Sequence, residues 1–222
     1  GLNNIFKMVS ESYHGDYYYR KPRVDFELLR KYHEGVIALS ACLGGVYAGC
    51  YWQNREEGSE AVLKCMREMT EEMLFTFGDR WYPEVQWNAV PEQHELNQYI
   101  IQIAKEYNMK IVSTGDSHYP TPDAWKDREL YKRLGWIGKG KPEWLDMNLP
   151  TSVQEMEYEL YPKNGQQMWE SYKQYSEECE QEYDDDLIRQ SIEESYHIAM
   201  ERCEDFLPDT TVRLPDFVVP AG

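Results

Sequence analysis

The chain has 222 residues, 41% of them hydrophobic and 14% aromatic, which is enough apolar material for one large or two small folded domains. Its formal net charge of -17 argues against a chain that wraps nucleic acid by itself, because phosphate binding needs a clustered positive surface. No apolar run reaches the length of a membrane span, and GLNNIFKMVS lacks a signal-peptide pattern, so the reading is a protein without membrane partners. The five cysteines are odd in number and include no C-x-x-C pair, which points to neither a disulfide framework nor a zinc knuckle and suits a reducing cytoplasm.

Leu2, Ile5, Phe6 and Val9 recur at helical spacing and predict an amphipathic helix ending near His14 and Gly15. The basic and aromatic loop GDYYYRKPR follows. Asp25 is placed to cap a short helix through about Tyr32, and Val36 to Ser40 predicts a strand that Gly44 and Gly45 terminate. A long helical region comes next, marked by Val62, Met66, Met69 and Met73 with Cys65 on the same face. Trp81 to Trp87 reads as a second strand. Pro91 opens a helix with Leu96, Ile100, Ile103, Ala104 and Tyr107 on one stripe, and Ile111 to Ser113 forms a third strand. Thr121, Pro122 and Asp123 supply the cap and first turn of a helix through about Leu134. Thr151 or Ser152 begins another, Glu177 to Asp186 is an acidic run suited to a solvated face, and Ile188, Ile192, Tyr196, Ala199 and Cys203 mark a last amphipathic helix. From Leu207 the prolines suit an extended linker.

Strands alternating with helices predict the α/β class, with parallel strands and crossover helices, whose functional groups gather at the carboxyl ends of the strands. Three strands are too few for a closed β/α barrel. In KIVSTGDSHYP a strand runs into Asp116 and His118, two positions apart. Residues i and i+2 at an extended strand end share a side, so the pair can converge on a metal ion or phosphate; alternatively Asp116 caps a turn and His118 packs on it. Cys42 follows the first strand and falls on the same face. Thiolate, imidazole and carboxylate together suit zinc or a similar transition metal better than magnesium. Tyr17, Tyr18, Tyr19, Arg20, Lys21 and Arg23 can stack on and clamp single-stranded DNA, or form a structural rim loop. His14, His33, His94 and His197 have no ligand-type neighbours and read as surface or packing residues.

VIALSACLGG, the PEQ of AVPEQHELN, STGDSHYPTPDA, IAMERC and LPDFVVPAG occur in an order and spacing that resemble the PHP domain (polymerase and histidinol phosphatase) of bacterial and phage DNA polymerase III alpha subunits. GLNNIFKMVSESY and YYYRKPRVDFELL resemble it too. The resemblance implies the later part of a distorted, TIM-like β/α barrel over residues 1–135, an acidic and mostly helical extension over 136–206, and a linker over 207–222 toward a polymerase palm. It implies that Cys42, Asp116 and His118 are metal ligands, the last two catalytic, in a divalent-metal cluster of zinc or manganese completed by residues upstream of Gly1. The implied activity is phosphodiester hydrolysis, a 3′-5′ exonuclease acting on the mispaired primer end, beside a DNA-directed polymerase whose partner is primer-template DNA. The same resemblance allows a scaffold without activity, or a free-standing phosphatase. Gly115 stands where the family often has asparagine, and Ala41 where glycine is usual. The long acidic region suggests a divergent, viral member. A partial barrel of this kind is expected to be unstable in isolation.

Overall fold

The computed structural model describes residues 1–138, 158–205, 207 and 210–211. The helix expected from Thr151 or Ser152 and most of the expected linker lie outside the described residues.

Helix α1 spans Leu2–Ser12, and a short antiparallel pair, β1 (Tyr18–Tyr19) and β2 (Lys21–Pro22), follows it. Leu2, Ile5, Phe6 and Val9 do share a face, but each is 41–59% exposed, so the stripe meets no core among the described residues. Helix α2 spans Phe26–Tyr32, and Asp25 caps it as expected, its carboxylate accepting from the Leu28 amide at 2.8 Å.

The first two strands are shorter than the sequence predicts, and the third keeps its length but starts one residue later. β3 is Ala38–Leu39, the Trp81 to Trp87 strand divides at Pro83 into β4 (Trp81–Tyr82) and β5 (Glu84–Gln86), and β6 is Val112–Thr114. β3 pairs parallel with β4, Ala38 opposite Trp81, and β5 pairs parallel with β6, Glu84 opposite Val112. Neighbouring carbonyls of an extended chain point to opposite sides. Tyr82 O accepts from Ser40 N while Pro83 O accepts from Val112 N, so β3 and β6 lie on opposite flanks of the central segment. Parallel pairing with helical crossovers bears out the α/β class; among the described residues no closed barrel forms.

The single long helical region resolves into α3 (Val46–Asn54) and α4 (Ser59–Phe77), separated by a turn through Gly58, whose φ of +100° a side chain would resist. Their packing joins a pair that the cysteine pattern did not indicate: Cys50 and Cys65 are disulfide-bonded, with Cα atoms 5.5 Å apart, which runs against the reading of a reducing compartment. The 15-residue separation resembles no short cysteine motif; the helix pairing alone brings them together. Helix α5 (Pro91–Glu106) crosses over to β6, and its Leu96, Ile100 and Ile103 are fully buried with Val62, Met66, Tyr47 and Val85.

A 3₁₀ turn at Pro122–Ala124 leads into α6 (Trp125–Gly138). Helix α7 (Gly165–Glu178) begins with a reciprocal capping box between Asn164 and Gln167, and α8 spans Asp185–His197. The acidic run is therefore more than a solvated face. Asp184 caps α8 through the Asp186 and Leu187 amides, and Asp185 binds Lys173 and the Tyr172 hydroxyl, both at 2.6 Å. Those donors hold the Asp185 carboxyl below its ordinary range. Of the last amphipathic stripe, Ile188 is fully buried while Tyr196 is 62% exposed. The helix opens into a π turn at Ile198–Arg202 before Cys203, so the periodicity does not continue through it.

Candidate functional site at the strand carboxyl ends

The carboxyl ends of β3 and β6 flank the central strand, and each passes into a turn with left-handed backbone. Ala41, with φ of +62°, precedes Cys42; Asp116, with φ of +45°, begins D-x-H. Side chains other than glycine enter this region at a cost of about 1 kcal/mol or more, so the surroundings must hold both turns in place.

At the β6 end Asp116 and His118 lie close together, through this turn rather than an extended strand end. His118 Nδ1 lies 3.9 Å from Asp116 Oδ2 and 2.5 Å from the Asp116 carbonyl oxygen. A carbonyl oxygen can only accept, so Nδ1 is the donor in this bond. Both side chains are partly exposed, His118 at 44% and Asp116 at 34%. The turn is clasped by a segment far along the chain. Leu160 O accepts from the His118 and Tyr119 amides at 2.7 and 3.2 Å, and the Tyr119 hydroxyl accepts from Leu160 N at 2.9 Å. Lys163, beside it, donates to Glu159 O at 2.7 Å, and burial pushes its ammonium below the ordinary lysine range.

At the β3 end Cys42 is a half-buried free thiol. Its loop is tightly folded: Gly45 N donates to Cys42 O at 2.7 Å, and a Cβ on Gly45 would lie 2.1 Å from Ser40 O. Only glycine fits there.

Between the two ends stands Glu84, 7% exposed, which the residue patterns did not single out. Its Oε2 accepts from the Ala41 amide at 3.0 Å; its Oε1 accepts from Gln86 Nε2 at 3.0 Å and from the Thr114 hydroxyl. Ser40 Oγ in turn accepts from Glu84 N at 2.8 Å. The available signal was an acid inside the apolar run WYPEVQW, since carboxylates are seldom buried without partners. The polar buried layer continues through Asn97, whose Nδ2 donates to Gln86 O at 2.8 Å and whose Oδ1 accepts from Gln93 Nε2 at 2.9 Å.

Among the described residues, no three His, Cys, Asp or Glu side chains converge closely enough to hold a metal. Asp116 and His118 stand as a neighbouring carboxylate and imidazole with no third such side chain beside them among the described residues. Cys42 does not join them in one preformed group.

Tyr18 and Tyr19 are 48% and 61% exposed on the β1–β2 hairpin, and Arg20 and Arg23 lie 5.4 and 5.5 Å from the Tyr19 ring centroid. Both cations fold onto one ring, making a compact cation–aromatic edge. Of the histidines read as surface or packing residues, His94 and His33 have no carboxylate or thiol partner among the described residues in the bonds they make, whereas His197 does have a ligand-type neighbour. His94 is fully buried, bonded to Asn88 O and the Tyr183 hydroxyl at 2.9 Å each, while His33 meets Arg80 and His197 pairs with Glu201.

Residues 1–88 match the family model described as PHP domain, a span that includes Cys42 and Glu84 and ends before Asp116. The chain is 42% identical over 123 residues to the DNA polymerase III subunit alpha of Aquifex aeolicus, covering 55% of this chain and 10% of that protein. It is 38% identical over 119 residues to the Thermus aquaticus subunit, covering 54% and 9%. With the Borreliella burgdorferi subunit the similarity runs over 221 residues at 27% identity, 99% of this chain and 17% of that protein. The matched region thus covers 9% to 17% of the length of these relatives. No helix among the described residues is long and apolar enough to cross a membrane.

Proposed function

We propose that this chain is the PHP-domain portion of a replicative DNA polymerase III alpha subunit, and that Cys42, Asp116 and His118 contribute to its metal-dependent phosphoesterase site. The observation that carries the reading is the convergence of Asp116 and His118, 3.9 Å apart, at a strand carboxyl end in a chain related over 221 residues to such a subunit. The proposed partners are primer-template DNA and the palm segment of the same polymerase, and the proposed location is the cytoplasm.

Cys42, Asp116 and His118 would hold part of a divalent metal site, zinc or manganese, which when bound would polarise a phosphoryl oxygen and supply a hydroxide near neutral pH. The chain's own part is to present donors. The Asp116 carbonyl holds the His118 ring through Nδ1, the Asp116 carboxylate lies 3.9 Å from that nitrogen, and Cys42 would offer a thiolate from the neighbouring strand end. The proposed substrate is the mispaired 3′ end of a primer, approached across the open, part-exposed turn.

A second reading, an inactive scaffold beside the polymerase core, is favoured by the lack of any three converging donors among the described residues. Elemental analysis of the intact protein separates the two. The metal reading expects bound zinc or manganese, lost in Asp116→Asn together with shortening of a labelled mismatched primer. Metal-free intact protein of ordinary stability refutes that reading and leaves the scaffold. Hydrolysis of a small phosphomonoester with no primer shortening favours a free-standing phosphatase instead.

A further inference from the structure

We propose that Glu84 is a positioning residue: one buried carboxylate that sets the spacing between the Cys42 loop and the Asp116–His118 turn. The inference rests on the proposed metal site for its purpose, though the geometry behind it is independent of any ion.

Both turns need an external hold. Ala41 and Asp116 have left-handed backbone without being glycine, and such conformations persist only where neighbours over-determine them. Glu84 reaches both sides. Oε2 takes the Ala41 amide, directly before Cys42, at 3.0 Å. Oε1 takes the hydroxyl of Thr114, two residues before Asp116, and Gln86 Nε2. The backbone of Glu84 is itself fixed, its amide donating to Ser40 Oγ at 2.8 Å and its strand paired with Val112. A residue rigid at its Cα and bonded through each oxygen to a different strand end acts as a strut between them.

The two oxygens are not equivalent, and that yields a discriminating substitution. Oε1 has two donors and Oε2 has one. Glutamine at this position keeps a single acceptor oxygen, best used on the Thr114 and Gln86 side. Its amide hydrogens then oppose the Ala41 N–H. Glu84→Gln therefore releases the Cys42 loop and spares the D-x-H turn, whereas Glu84→Ala releases both.

The test is hydrogen exchange by mass spectrometry on the intact protein and these two variants, with zinc and manganese titrated separately. Glu84→Gln is expected to speed exchange about tenfold or more in residues 40–45 and leave 114–119 unchanged, and Glu84→Ala to speed both, with α4 and α5 unaffected. Where the wild type binds either metal, each variant is expected to weaken it about 10- to 100-fold, as loss of an outer support does. Exchange that rises equally in both segments of Glu84→Gln, or in neither, overturns the strut. So does uniform loosening of α4 and α5, which would make Glu84 a general stability residue. A wild-type protein that binds neither zinc nor manganese, with the segment-specific exchange intact, defeats the metal reading and leaves Glu84 as the spacer between the turns.

Discussion

Replacing Ile188 tests whether the C-terminal helices belong to the same folded unit as the sheet. Ile188 is 0% exposed on α8, within the core that includes Val85 and Trp87. Ser191, one turn on, hydrogen-bonds Ser113 of β6 at 2.7 Å, and Glu194 holds Lys110 at 2.9 Å just before that strand. Ile188→Ala removes three carbons, about 2.4 kcal/mol at roughly 0.8 kcal/mol per buried methylene, and the residual cavity carries such substitutions to about 2–5 kcal/mol. At 1.4 kcal/mol per decade, the figure of about 2.4 kcal/mol speeds exchange from the globally protected amides roughly 50-fold. The assay is hydrogen exchange on the intact protein, read in peptides covering 111–115 and 185–197. Faster exchange in both is expected. If α8 loosens while β6 keeps its protection, the helix is an appendage, and the shared core inferred from Ile188, Ser191 and Glu194 is wrong.

Asn97→Ala leaves the Gln86 carbonyl and amide without their side-chain partners in a buried layer; a loss of about 1–3 kcal/mol is expected, seen as a lower unfolding midpoint. Gly45→Ala sets a Cβ against Ser40 O, so the Cys42 loop shifts and alkylation of the Cys42 thiol accelerates, with α5 exchange unchanged as the control. Burial holds the His94 pKa below its ordinary 6.5, so the unfolded state takes up a proton first as pH falls. Stability is therefore present above about pH 6.5 and declines as pH falls from there through the folded-state value. Thermal midpoints at pH 7.5 and 5.5 should show this decline, and His94→Gln should flatten it. An equal decline in the variant would assign it to other groups.

Asp25 as a cap, Pro91 as a helix opening and the Leu96, Ile100 and Ile103 stripe were legible because each depends on local chemistry or on a period of 3.6 residues. Pro83 was visible too, but its effect on the central strand depended on which carbonyl faced which neighbour. The α1 stripe was recognisable as a helix face, while its 41–59% exposure depends on what packs there. The closeness of Asp116 and His118 followed from their spacing, although the backbone reaches it by a left-handed turn.

What the sequence alone determined was the alternation of strands and helices, the placing of Cys42 and D-x-H after two different strands, and a family resemblance carried by ordered short motifs. Tertiary structure decided the rest. Helix pairing joined Cys50 to Cys65, the distant Leu160 segment clasped His118, and the acid at position 84 became the link between two turns. Those contacts span 15 to 43 positions along the chain. Local propensity and periodicity have no term for such distances, because only packing determines which distant groups meet.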